Sequence, residues 1–135
     1  MKALMAAALL IGATQAGAVT VEVASGDWND IPLLKAGGEA LSDAVVHKLH
    51  TLVESGTCVI PGQTKKRLDM SVPFLVHYPN NGGEPDRIII SKIGCAEAES
   101  VIGGALSVLV KQGAYQSSGV NKTGWYRSEV SFSYS

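Results

Sequence analysis

Two alternating segments joined by a turn-rich stretch constrain the fold of this chain more than any other sequence feature. Residues 70–78 place apolar side chains at every second position, so one strand face would carry Val72, Phe74, Val76 and Tyr78. The opposite face would carry Ser71, Pro73 and His77, with Leu75 as an apolar exception. Residues 79–85 are dense in Pro, Asn and Gly, and residues 87–93 follow as an apolar strand. The sequence therefore predicts a β-hairpin whose first strand lies at a sheet edge or carries a bulge, because Pro73 has no N–H to donate.

The first eighteen residues have the composition of a secretory signal peptide. Lys2 supplies positive charge, residues 3–13 are apolar, and Ala16-Gly17-Ala18 provides the small residues of a cleavage site. The apolar run is shorter than the roughly 20 residues that a membrane-spanning helix needs, and no second run follows it. We therefore expect a signal peptide over residues 1–18 and a single mature domain over residues 19–135. This domain is expected to be periplasmic or secreted, with no membrane span.

The charge balance argues against nucleic acid as a partner. The chain has 11 basic and 12 acidic residues, for a net charge of -1. Binding to phosphates needs a concentrated basic surface. The densest basic run, residues 65–67, is only three residues long and is typical of a solvated loop.

Two cysteines, Cys58 and Cys95, are present in a chain that we expect to enter an oxidising compartment. Two thiols in that environment allow only one intramolecular bridge. A redox pair would usually have the spacing Cys-x-x-Cys at a helix start, whereas these two are far apart in sequence. The sequence therefore predicts a structural disulfide between them.

Helical spacing of apolar residues predicts two helices. In residues 39–55 the apolar stripe would consist of Leu41, Ala44, Val45, Leu49, Leu52 and Val53, and the opposite polar side of Asp43, His47, His50 and Glu54. In residues 97–111 the stripe would consist of Ala98, Val101, Ile102, Ala105, Val108 and Leu109. Gly103-Gly104 inside this second helix lowers its propensity, so we expect a close approach to the sheet there.

Two further strands are predicted at the ends of the domain. Residues 19–24 alternate between valines and other side chains, as in a short strand. Residues 125–134 place Tyr126, Val130, Phe132 and Tyr134 on one face and Arg127 and Glu129 on the other. We expect this terminal strand to be part of the sheet.

From residue 70 onward the chain resembles the C-terminal domain of TonB-type energy transducers. In that family two hairpin strands lead through a Ser- and Gly-containing corner into a helix, an exposed loop and a last strand with an aromatic residue near its start. The matching segments in about half of this chain are Ser91-Lys92-Ile93-Gly94-Cys95, Gly113-Ala114-Tyr115, Gly124-Trp125-Tyr126 and Val130-Ser131-Phe132. The resemblance implies the family's fold and its habit of binding partners by adding a strand edge to edge.

The same family has features that this sequence does not share. Its transducers have an N-terminal transmembrane anchor and a long Pro-rich spacer, whereas this chain has an expected cleavable leader and five scattered prolines. The family's Tyr-Pro segment precedes the domain, whereas Tyr78-Pro79 here lies inside the hairpin. We therefore do not expect this chain to transmit force from an inner-membrane motor.

Two candidate sites for chemistry have structural alternatives. His47 and His50, with Asp43 and Glu54 a turn away, could bind a divalent metal, but a polar helix face of this composition is ordinary. No Gly-x-Ser-x-Gly elbow is present, and no free cysteine should remain as a nucleophile. Trp28 could stack on a ligand, or it could cover one end of a small core.

The sequence thus predicts an α+β domain in which an antiparallel sheet, made of a hairpin and a terminal strand, has two helices packed on one face. Its expected function is that of a non-enzymatic interaction module of the cell envelope, without cofactor or metal. A protein partner of unknown identity would bind at a sheet edge and at the loop 114–124. The expected binding residues are Tyr115, Trp125, Arg127 and Glu129. The alternative is a small metal-dependent or hydrolytic periplasmic enzyme that uses the His47/His50 helix face.

Overall fold

The computed structural model describes residues 19–34, 41–79, 84–112 and 123–134. These form four strands and two helices in chain order. The elements are β1 (Thr20–Ala24), α1 (Asp43–Glu54), β2 (Leu68–Tyr78), β3 (Arg87–Ser91), α2 (Ala96–Lys111) and β4 (Gly124–Tyr134). Among the described residues no helix is long and apolar enough to cross a membrane.

The four strands form one mixed sheet in the order β1-β3-β2-β4. β2 and β3 form the predicted antiparallel hairpin, and β4 pairs antiparallel with β2 along its whole length, from Leu68↔Tyr134 to Tyr78↔Gly124. β1 instead runs parallel to β3, with Thr20 opposite Arg87. The expectation of a purely antiparallel sheet is therefore wrong for β1, because alternation predicts a strand but carries no information about its direction.

Pro73 lies in an interior strand whose pairing with β4 is continuous, so neither the predicted edge position nor the predicted bulge is observed. The N–H of Asp86 donates to the carbonyl of His77 (3.0 Å), which shows that the odd-numbered backbone groups of β2 point toward β3. Pairing between β2 and β3 stops at Phe74, one residue before Pro73. The N–H that Pro73 lacks would point toward Ser91, the last residue of β3, so the proline limits the β2–β3 ladder at this end.

One face of the sheet forms the core against the two helices. The side chains predicted for the apolar face of β2 are all completely buried, as are Ile88 and Ile90 of β3. α1 and α2 contact each other, α2 contacts β1 and β3, and α1 contacts β4. We call the opposite side of the sheet the second face.

Helix α1 begins at an N-cap, since the side chain of Ser42 accepts a hydrogen bond from the N–H of Val45 (3.3 Å). Its buried residues are Val46, Leu49, His50 and Val53. This stripe is turned by about one residue from the predicted one, so His50 faces the core, contrary to its predicted place on the polar side.

Helix α2 is fixed to the sheet at two places. The buried carboxylate of Glu99 accepts hydrogen bonds from the N–H groups of Ile93 (2.7 Å) and Gly94 (3.2 Å), which holds the corner between β3 and α2. A Cβ atom on Gly103 would lie only 2.7 Å from Cγ1 of Val21, whereas one on Gly104 would meet nothing within 4 Å. The predicted close approach is confirmed at Gly103 and absent at Gly104.

The predicted disulfide is confirmed. Cys58, which follows α1, is bonded to Cys95, the N-cap residue of α2, with their Cα atoms 5.5 Å apart. Both cysteines are buried in the core. The bridge therefore ties the α1–β2 connection to the start of α2.

Candidate functional site

The second face is crossed by a segment that joins the two edges of the sheet. Residues 25–34, here called the crossing segment, leave β1 at one edge, and Leu33 forms a parallel bridge with Arg127 outside β4 at the other edge. Residues of this segment and of the second face line one common cavity, which places the crossing over that face. Leu75, the apolar exception on the second face, is only 5% exposed.

Arg127 holds the far end of the crossing segment. Its N–H donates to the carbonyl of Pro32 (2.8 Å), and its carbonyl accepts from the N–H of Leu34 (2.7 Å). Its guanidinium Nε also donates to the carbonyl of Ile31 (2.8 Å). The predicted binding residue Arg127 therefore positions a chain segment with both its backbone and its side chain.

The cavity between the crossing segment and the sheet has a volume of about 400 Å³. Its lining residues are Gly26, Asp27, Trp28, Asn29, Leu33, Pro73, Ser91, Arg127, Ser128 and Glu129. Trp28 is half-buried and does not belong to the core cluster or to the apolar residues packed against it. The structure thus does not bear out the alternative in which Trp28 covers the core.

A second group of side chains lies on the same face around Trp125. The ring of His77 lies 4.8 Å from that of Trp125, and the guanidinium of Arg87 lies 5.0 Å over the indole. Arg87 also pairs with Glu22 (2.7 Å) and His77 with Asp86 (2.7 Å). We call these residues the Trp125 cluster. Tryptophan and arginine in such contact are typical of protein interfaces.

The outer edge of β4 is the third feature of this region. Because the backbone of Arg127 points outward to the crossing segment, the alternation of strand hydrogen bonds directs Glu129, Ser131 and Ser133 outward as well. Within the described residues no strand pairs with these three positions. The N–H and C=O groups of an edge strand are a template for a further strand.

The structure brings three of the four predicted binding residues together. Trp125, Arg127 and Glu129 have alternate positions on the second face of β4, whereas Tyr115 lies outside the described residues. No local pattern in the sequence marks Glu22, Asp86 or Arg87, which come to this face only through pairing of distant strands. The glycine and polar residues at 26–29 were a detectable sign of a loop, but not of its path across the sheet.

The polar helix face on which the metal-binding alternative depends does not form as one exposed surface. His50 is 6% exposed, its Nε2 donates to the carbonyl of Lys65 (2.9 Å), and its ring stacks on Tyr134 at 4.0 Å. His47 remains exposed on the helix. In the part of the chain that the structure describes, no group of three or more His, Cys, Asp or Glu side chains could hold a metal ion.

Comparisons with protein-family models, curated proteins and solved structures found no match. The observed class is an α+β fold with a four-stranded mixed sheet and two helices.

Proposed function

We propose that this protein is an exported, non-enzymatic interaction module of the cell envelope that binds a protein partner by strand addition at the outer edge of β4. The observation that carries the proposal is the row of outward backbone groups at Glu129, Ser131 and Ser133. An extended peptide paired with these residues would gain a main-chain hydrogen bond at each N–H and C=O, each contributing about 0.5–1.5 kcal/mol net.

The crossing segment supports this edge as a docking site. It already forms a parallel bridge with Arg127, so the backbone of this edge is hydrogen-bonded to an extended segment at one position. The partner strand would pair with β4 at Glu129, Ser131 and Ser133, beyond the bridge at Arg127. Trp125, Arg127 and Glu129 lie on the face beside it and would contribute specificity.

The other sheet edges are less suited to an added strand. β2 is longer than β3, so the first part of β2 has a side without a strand partner. At Asp69 this side is covered, because the N–H of Asp69 donates to Oε1 of Gln63 (2.7 Å) and its C=O accepts from Nε2 of Gln63 (2.9 Å). At β1 the bonds made by Thr20 and Ala24 point toward β3, which leaves only Val21 and Val23 directed outward. β4 presents three such residues.

The resemblance to the TonB C-terminal domain also supports the proposal. The order β2, β3, α2, β4 is the one that the resemblance implies, and strand addition is that family's mode of binding. The alternative enzymatic function gains no support from the geometry, since the buried His50 already has its hydrogen-bond and stacking partners.

Proline substitution at the β4 edge tests the proposal. Ser131→Pro removes an outward N–H without disturbing the bonds that neighbouring residues make to β2. Ser131→Ala is the matched control, because it loses only the side-chain bond to Ser71 (3.0 Å) and keeps the N–H. Val23→Pro makes the same change at the β1 edge.

The readout is capture of a partner from the envelope fraction of the source cells, with folding of each variant checked by thermal melting. We expect the wild type, Ser131→Ala and Val23→Pro to capture the same protein and Ser131→Pro to lose it. Retention of that protein by folded Ser131→Pro, or its loss from Val23→Pro alone, would show that β4 is not the docking edge.

A further inference from the structure

We propose that the cavity under the crossing segment binds a neutral saccharide, with the indole of Trp28 as the stacking platform. This second site lies on the face of the sheet and does not depend on strand addition at the β4 edge. The inference rests on the size of the cavity, its mixed lining, its charge and the fixed position of Trp28.

The cavity has the size and composition of a small polar-ligand site. Its volume of about 400 Å³ is within the usual range of roughly 300–1,000 Å³ for such sites. Trp28, Pro73 and Leu33 supply apolar surface, on which the C–H faces of a pyranose ring can lie. The polar side chains in the lining are Asp27, Asn29, Ser91, Arg127, Ser128 and Glu129.

These polar groups match the chemistry of sugar hydroxyls. A hydroxyl both donates and accepts, so vicinal hydroxyls can bond to carboxylate oxygens and to amide or guanidinium N–H groups at once. Arg127 uses Nε for Ile31, and its guanidinium carries further N–H donors. An apolar ligand would instead leave these groups desolvated without partners, which costs free energy.

Charge in the lining disfavours an anionic ligand. The cavity contains the carboxylates of Asp27 and Glu129 and the guanidinium of Arg127. Two negative groups against one positive group leave an excess of negative charge, which repels an anion. The same excess and the indole would attract a cation, and the choline titration below tests that alternative; a neutral polyhydroxylated ring can use both the carboxylates and the guanidinium as hydrogen-bond partners.

The crossing segment holds Trp28 in place before a ligand arrives. One end is bonded through the N–H of Lys92 and the carbonyl of Ala24 (3.2 Å), and the other end through Arg127. In between, Ile31 N–H donates to the carbonyl of Trp28 (3.0 Å). A Cβ on Gly26 would lie 3.0 Å from Nε1 of Trp28, so glycine at this position lets the indole lie against the segment. Such pre-organisation lowers the entropic cost of binding.

The test is a titration followed by NMR of the two tryptophan indole N–H groups, of which Trp125→Phe identifies that of Trp28. The probes are cellobiose and N,N′-diacetylchitobiose as neutral disaccharides, glucuronate as an anion and choline as a cation. We expect a saturable shift of the Trp28 indole with at least one neutral disaccharide. Trp28→Ala, monitored by the backbone amides of Ser91 and Ser128, should abolish binding, and Glu129→Gln should weaken it several-fold.

Gly26→Ala provides a variant that displaces the indole without removing it, and it should also weaken binding. Melting curves establish that each variant is folded. No saturable shift with either disaccharide, or a shift with choline or glucuronate alone, would overturn the saccharide assignment. Because Ser131→Pro lies outside the cavity, it should bind the disaccharide as the wild type does, which separates this test from that of strand addition.

Discussion

The two histidines of α1 are three residues apart, yet they have different surroundings. His50 is buried between Tyr134 and the carbonyl of Lys65, whereas His47 is exposed and lies 5.9 Å from the ring of Tyr134 at a tilt. The buried stripe of α1 is turned by about one residue from the predicted one, so His50 lies inside this stripe and His47 lies outside it. Replacement of His50 should therefore affect stability, whereas replacement of His47 should not.

We expect His50→Ala to lower the free energy of unfolding by about 1–3 kcal/mol, because it removes a buried side chain together with its hydrogen bond to the carbonyl of Lys65 and its ring stack on Tyr134. His47→Ala should change it by no more than about 0.5 kcal/mol. Urea denaturation of both variants is the measurement. Equal stability of the two variants would contradict the burial of His50.

Tyr78 is expected to contribute to the response of the protein to alkaline pH. Burial, and to a lesser extent Tyr126, raises the pKa of Tyr78 to about 12 from its usual value of 10.0. Between these values the unfolded chain loses the proton and the folded chain keeps it, so stability should be complete below about pH 10 and fall as the pH rises toward about 12. Denaturation across this range should show a smaller decline for Tyr78→Phe than for the wild type. An identical decline would exclude Tyr78 as its source.

The two adjacent glycines of α2 differ in how closely they approach the sheet. Gly103 lies against β1, and only a residue without a side chain allows this approach. Gly104 has open space in front of it. Helix propensity is the same at both positions, so any difference between substitutions there comes from packing.

We expect Gly104→Ala to stabilise the protein by about 0.5–1 kcal/mol through the higher helix propensity of alanine. Gly103→Ala should destabilise it by about 1–3 kcal/mol, because the new methyl group would overlap Val21, whose branched side chain has few alternative rotamers. Thermal and urea denaturation of both variants check the signs. If Gly103→Ala were also stabilising, β1 would not pack on α2 as described.

The disulfide and β4 connect parts of the chain that are distant in sequence. Cys58 and Cys95 are separated by 37 residues. β4 contributes the only described partner of β2 on one side, and Val130 and Phe132 from it are buried in the core.

Replacement of both cysteines by serine should reduce the free energy of unfolding by roughly 3–4 kcal/mol, since the unfolded chain regains the entropy that the closed loop removes. Denaturation with and without reductant measures this loss. Alkylation of the native protein, followed by intact-mass measurement, should detect no free thiol. Two alkylated cysteines would remove the disulfide from the account of stability.

Deletion of residues 125–135 should prevent folding. It removes the strand that pairs with β2 and three buried side chains, those of Tyr126, Val130 and Phe132, a loss that exceeds the roughly 5–15 kcal/mol by which a domain is stable. Circular dichroism and a melting curve of the truncated protein are the measurements. A soluble truncated protein that melts cooperatively would mean that β4 is a detachable docking segment.

Local periodicity alone predicts the hairpin, the two helices, the terminal strand and the apolar faces of β2 and β4, because a repeat of two or 3.6 residues needs only near neighbours. The sequence also determined the disulfide, since two cysteines have one possible pairing. Tertiary structure decided the parallel direction of β1, the path of residues 25–34 over the second face and the burial of His50. These depend on contacts such as Thr20 with Arg87 and Leu33 with Arg127, which join residues distant in sequence and leave no periodic trace in it.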